Sequence, residues 1–249
     1  MSLPINQQQI DNRARRAMFR TACGGTLGLA ALLGVPAASF AADGKKSSLS
    51  PDEALAKLKK GNADFMADKS EAAPKDNQRR LDIARGQAPF AVLVGCSDSR
   101  VPPEVLFGAG LGELFIVRNA GNTVDTVALG SIEYGVAVLG APLLIVLGHE
   151  RCGAVDAAVQ VVKKNATFPG SIGQMIQPIL PAALMAAATQ GANTNEEDLL
   201  DAAVRENVRR VVMRLRNSEP MLIDPIKAGK LKVVGARYDL DDGKVDFFI

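Results

Sequence analysis

The chain predicts an α/β fold in a single domain: a mostly parallel sheet of four strands with an antiparallel edge strand, flanked by helices. Three observations lead there. Short apolar runs at residues 90–95, 114–118, 143–147 and 231–236 lack the polar alternation of a strand with one wet face. Helical patterns separate them, as parallel crossovers require. The last run is followed by the turn Asp241-Asp242-Gly243 and a second apolar stretch, 245–248, which reads as a hairpin.

The elements follow in order. Residues 1–41 carry the marks of an export signal. Arg15 and Arg16 form a twin arginine in a basic region, residues 21–35 are mildly apolar, and Ser39 and Ala41 supply the small residues of a cleavage site. The apolar run is too short and too rich in glycine to span a bilayer. The expectation is a signal of the twin-arginine type over 1–41, a periplasmic destination, and a domain over 42–249. That domain keeps 25 basic and 26 acidic residues. Such a balance gives no reason to expect nucleic acid or a membrane surface as partner of the mature protein. Hydrophobic residues make up 47% of the chain and tryptophan is absent, so the core is aliphatic.

Ser50-Pro51-Asp52-Glu53 starts a helix, with Ser50 as N-cap, Pro51 at the first helical position and Glu53 completing a capping box; Leu55, Leu58 and Phe65 carry it to about Ala67. Residues 70–78 read as a polar connector and 79–86 as a short helix. A helix rich in small residues spans 124–139, another covers 154–163, and residues 196–216 form a strong helix with an apolar stripe from Leu199 to Leu215. Its arginines 205, 209, 210 and 214 read as one solvated face. Residues 165–195, broken by Pro169, Pro178, Pro181 and the glycines 170, 173 and 191, are the least readable.

The chemistry sits at two strand ends. The run 90–95 ends in Cys96-Ser97-Asp98-Ser99-Arg100. The run 143–147 ends in Gly148-His149-Glu150-Arg151-Cys152, which holds the one histidine of the chain. In a parallel sheet, active groups gather at the carboxyl ends of strands. Cys96, His149 and Cys152 are a ligand set suited to zinc, with the fourth position left to water or a carboxylate. Without residues 1–41, these are the two cysteines that remain of three. An oxidising compartment tends to pair such cysteines. Export of an already folded protein would allow zinc to be loaded first and to protect both.

These motifs, joined by Gly112-Glu113-Leu114-Phe115-Ile116-Val117-Arg118-Asn119 and Gly130-Ser131-Ile132-Glu133-Tyr134, resemble the β-class carbonic anhydrases across nearly all of residues 50–249. The resemblance implies a zinc enzyme interconverting carbon dioxide and bicarbonate, built as a homodimer or homotetramer. Carried over by residue, it implies zinc ligands at Cys96, His149 and Cys152 and a catalytic pair at Asp98 and Arg100. It places Gln87 in the cleft from across the dimer interface, with Phe115 and Tyr134 lining the cleft. The chain departs from the family in carrying Leu93 where some bacterial members place a bicarbonate-binding tryptophan, and in the size and charge of Glu150 and Arg151.

The chemistry is consistent with those roles. Zinc lowers the pKa of bound water towards about 7 in a carbonic anhydrase with three histidines, the standard example. Two thiolates neutralise the ion formally, so the water here is expected to be less acidic and activity to favour alkaline pH. Asp98 has two places open to it: on the metal, closing the site, or clamped by Arg100 and accepting a hydrogen bond from the nucleophile. Two further functions fit the same residues. One is hydrolysis of carbonyl sulfide or carbon disulfide on this scaffold; the other is noncatalytic zinc binding in the periplasm.

Overall fold

The structure, a computed structural model, describes residues 46–69, 75–191, 194–217 and 220–249. The expected export signal lies outside the described residues. One sheet organises the rest, in the order β2-β1-β3-β4-β5, where β1 is Ala91–Gly95, β2 Leu114–Arg118, β3 Leu143–His149, β4 Lys232–Tyr238 and β5 Val245–Phe247. The first four strands are parallel and β5 returns antiparallel to β4, as the sequence predicts. Every residue of β1 and β3 is buried, which explains their unbroken apolar sequences.

Alternate residues of each strand face opposite layers. Val92, Val94, Leu144 and Val146 pack with Ala128 and Ile132 of α4 (Thr126–Glu133) and with Val208 and Val212 of α8 (Glu196–Arg216). Leu93, Leu143 and Ile145 pack with Ala54 and Leu58 of α1 (Pro51–Met66) and Leu106 of α3 (Pro103–Leu106). The Ser50 and Glu53 side chains cap α1 reciprocally, as the capping box requires. Gly61 is where α1 approaches α3. A Cβ there would lie 1.9 Å from the Phe107 carbonyl oxygen, which is backbone and cannot move aside. Gly61→Ala is therefore expected to cost about 3 kcal/mol, at the upper end of the overpacking range, measured by urea unfolding. Unchanged stability would mean that α1 does not pack this closely.

Several boundaries differ from expectation. α2 is Asn77–Ile83 instead of 79–86, because Asp76 caps it by accepting from the Arg79 amide. The expected helix over 124–139 is α4 followed by a wider π-helical turn, Tyr134–Val138. A run of small and apolar residues carries the same pattern through either. β3 continues two residues beyond 147, so His149 is part of the strand, opposite Tyr238 of β4. α5 (Gly153–Lys164) matches its expectation closely.

The segment 165–195 holds α6 (Ser171–Ile176), a 3₁₀ turn Gln177–Ile179 and α7 (Leu180–Gln190). Together Ser171–Gln190 is long and apolar enough to cross a membrane by length and composition. Its Ile179, Ala183 and Ala186 pack in one cluster with Val155 of α5 and Val204 of α8. α9 (Pro220–Lys227), which carries Pro225 inside it, was not among the expected elements. Nor are the α8 arginines simply solvated: Arg205 pairs with Asp201 and Asp246, Arg210 with Glu206, and Arg214 donates to the Val124 carbonyl.

Candidate metal centre

The strand order sets the place. β2 lies on one side of β1 and β3 on the other, so the chain reverses direction across the sheet between β1 and β3. A crevice opens at the carboxyl ends of strands at such a point. Cys96 follows β1 directly, His149 ends β3, and Cys152 caps the N-terminus of α5. Sequence positions 53 and 56 residues apart are thereby brought together: one donor atom from each of the three lies within 4.8 Å of the others.

All three are buried, His149 completely. The His149 Nδ1 lies 2.8 Å from the Glu150 carbonyl oxygen, to which it donates. That bond fixes the tautomer and leaves the Nε2 lone pair free. Nε2 is buried and has no protein partner, which in an apolar setting is costly. The two sulfurs are 4.0 Å apart. A hydrogen bond from Cys152 pulls the Cys96 thiol well below its ordinary pKa, and the same bond, with burial, pushes Cys152 up. The sulfurs thus compete for one negative charge, and a dication between them removes the conflict. One imidazole nitrogen and two thiolates fit zinc.

Asp98 and Arg100 meet as a bidentate pair. Arg100 Nε donates to Asp98 Oδ1 at 3.0 Å and Nη2 to Oδ2 at 2.8 Å, while the Arg100 amide also donates to Oδ1 at 2.9 Å. Arg100 therefore holds the Asp98 carboxyl well below the usual range, ionised and acceptor-only. Asp98 Oδ2 stands 3.8 Å from His149 Nε2. Of the two places open to Asp98, the structure has the Arg100-clamped one.

The cleft residues are dispersed within one chain. Phe115 is half-buried and Tyr134 is 47% exposed, their ring centroids 6.1 Å apart. Gln87 is exposed and lines a separate cleft with Lys57, Arg79 and Phe90.

Two supports escaped sequence reasoning. Arg118, at the end of β2, donates to the Cys96 carbonyl at 2.8 Å and the Asp98 carbonyl at 2.7 Å, holding the first loop by its backbone. The Gly121 amide donates to Cys96 Sγ at 3.3 Å, and the buried Asn207 of α8 holds the Gly121 carbonyl at 2.9 Å. Gly121 has φ +75°, and a Cβ there would lie 2.5 Å from Ile179. The one signal for Arg118 was its place at a strand end; for Asn207 it was a polar residue within an apolar stripe.

The family model described as carbonic anhydrase matches residues 91–245. Carbonic anhydrase 2 of Mycobacterium tuberculosis is 36% identical over 194 residues, which cover 78% of this chain and 91% of that protein. The carbonic anhydrase of Pseudomonas aeruginosa is 35% identical over 188 residues, 73% of this chain and 83% of that one. Among solved structures, one of two tetrameric β-carbonic anhydrases from Sordaria macrospora superposes with a TM-score of 0.64 at 28% identity, over 69% of this chain and 87% of that one. A Coccomyxa β-carbonic anhydrase in complex with acetazolamide superposes with a TM-score of 0.62 at 29% identity, over 78% and 85%.

Proposed function

The chain belongs to the β-carbonic anhydrase family, an enzyme family dependent on zinc, and on that premise we propose that it catalyses reversible hydration of carbon dioxide to bicarbonate and a proton at the Cys96–His149–Cys152 centre. The observation that carries this reading is the buried, unpartnered His149 Nε2, close to both sulfurs and to a carboxylate clamped by arginine. Cys96, His149 and Cys152 would hold the zinc, which when bound would supply a hydroxide nucleophile near neutral pH. Asp98, held ionised by Arg100, has no proton to donate. It accepts a hydrogen bond from the nucleophile, which aims a lone pair at the carbon of carbon dioxide. Arg100 in turn holds both Asp98 carboxylate oxygens, which would keep Asp98 off the metal. Stopped-flow hydration of carbon dioxide by the zinc-loaded protein tests the reading; a zinc-replete protein with no activity above buffer overturns it.

Surface left half-covered supports an assembly of several copies. Leu114, Phe115, Ile116 and Val117 of the edge strand β2 are each partly exposed, and Val127 and Tyr134 nearby are 78% and 47% exposed. A second copy of the chain covers this apolar edge in a homodimer or homotetramer and brings its Gln87 to the cleft. Light scattering that returns a monomer mass at micromolar concentration would rule this out.

The protein works in the periplasm, exported folded on its twin-arginine signal over residues 1–41. Cys96 and Cys152 both belong to the metal cluster, and folding before export protects them. Replacing Arg15 and Arg16 by lysine should leave active, uncleaved protein in the cytoplasm. Normal periplasmic appearance of that variant sinks the assignment.

A further inference from the structure

Between the ligands His149 and Cys152 the chain carries two large charged residues, and the second adopts a conformation that L-residues avoid. Arg151 has φ +49°. Such a backbone persists when its surroundings hold it. The side chain shows what holds it: Arg151 Nη1 donates to Asp241 Oδ2 at 2.9 Å and Nη2 to Asp241 Oδ1 at 2.6 Å. Asp241 lies 90 positions away, in the turn between β4 and β5.

That turn is itself fixed. Asp239 Oδ1 accepts from the Asp241 amide at 2.9 Å, and Asp239 Oδ2 is held by Arg237 Nη1 at 2.8 Å. Glu150 ties the same two segments: its amide donates to the Tyr238 carbonyl at 2.9 Å, and its Oε2 accepts from the Leu240 amide at 3.1 Å. On its other side the loop meets the catalytic pair, since Arg100 Nη2 donates to the Arg151 carbonyl at 3.4 Å. A line of contacts therefore runs from Asp241 through Arg151 to Arg100 and Asp98.

We propose that Arg151 and Asp241 are positioning residues of the metal centre: their bidentate pair holds the His149–Cys152 loop in its left-handed turn and, through the Arg151 carbonyl, directs Arg100 towards Asp98. The role of Arg100 here rests on the carbonic anhydrase reading; the hold on the loop does not. An exposed ion pair is ordinarily worth little, and the Asp241 side chain is 71% exposed. This pair differs in its two parallel hydrogen bonds, in a turn already fixed, and in the strained backbone that it holds. Lysine at 151 would keep the charge and lose the fork.

The test is the rate at which zinc-loaded protein loses its metal to a chromogenic chelator, with kcat and KM measured alongside. Asp241→Ala is expected to release zinc about 10-fold faster, at the low end of what partners beyond the ligands contribute. Its kcat should fall with KM unchanged, because no cleft residue is altered. Asp246→Ala, which removes the hairpin carboxylate paired with Arg205, should match wild type in both. Asp241→Ala combined with Arg151→Ala should release zinc no faster than Arg151→Ala alone, because each removes the same clamp. A wild-type release rate in Asp241→Ala, equal acceleration in Asp246→Ala, or additive acceleration in the double variant overturns the proposal. Faster zinc loss from Asp241→Ala, in a parent protein that binds zinc and hydrates no carbon dioxide, supports the hold on the loop and sinks the carbonic anhydrase reading instead.

Discussion

Cys152→Ser is expected to lose zinc, and with it more than about 100-fold of the carbon dioxide hydration rate. Even residues outside the ligand set are worth about 10–100-fold in metal affinity or activity, so a ligand exceeds that. A serine hydroxyl does not ionise near neutral pH, so the site would offer one sulfur and one nitrogen. Cys152 is also 1% exposed, at the N-terminus of α5, and its thiol is the hydrogen-bond partner that lowers the Cys96 pKa. Stability should follow the metal. A ligand bound by the native state alone adds about 4 kcal/mol at 1,000 times its Kd, so a chelator should lower the melting temperature of wild type and leave that of Cys152→Ser unchanged. One zinc per chain in purified Cys152→Ser would overturn the ligand assignment.

Arg100→Ala should remove about 10²–10³-fold of activity, the range for loss of one preorganised electrostatic group, while retaining zinc. Both Asp98 oxygens accept hydrogen bonds from the Arg100 side chain, so its removal frees a carboxylate that already stands 3.8 Å from His149 Nε2. The freed carboxylate would then bind the metal and exclude the nucleophile. Asp98→Asn should lose activity comparably for a different reason: the amide is uncharged, and the nucleophile loses its acceptor. Zinc X-ray absorption separates the two. Arg100→Ala should show a carboxylate oxygen in the first shell at the pH where wild type does not, and Asp98→Asn should not. If Arg100 acts through Asp98, adding Asp98→Asn to Arg100→Ala lowers the rate no further than Asp98→Asn alone. Additive losses would mean that Arg100 has a separate role.

The parts of this molecule that were legible were those whose cause is local. β1 and β3 are buried on both faces, so their residues had to be apolar without interruption. α1 and α8 were legible because a capping box starts one and a long apolar stripe marks the other. The Asp98–Arg100 pair spans two residues and His149–Cys152 three, so each half of the site was visible as a motif. The π-helical turn at Tyr134 and α9 were not. In the first, the apolar pattern is compatible with either helical pitch; in the second, prolines mask a helix that packing on the core sustains.

Residue types and short spacings were thus enough to set the fold class and to mark Cys96, His149 and Cys152, which the structure brings together, and the Asp98–Arg100 pair. Arg118, Asn207 and Asp241 belong to the tertiary structure, because each acts on a group between 20 and 90 positions away. Sheet order alone decides that the end of β2 lies beside the Cys96 loop, and that the β4–β5 turn lies beside Arg151. A strand end marks Arg118 and a break in an apolar stripe marks Asn207, but neither signal names the distant group that the side chain holds. The metal ligands are selected by their chemistry, which composition records; the residues that hold them are selected by position, which exists once the chain has folded.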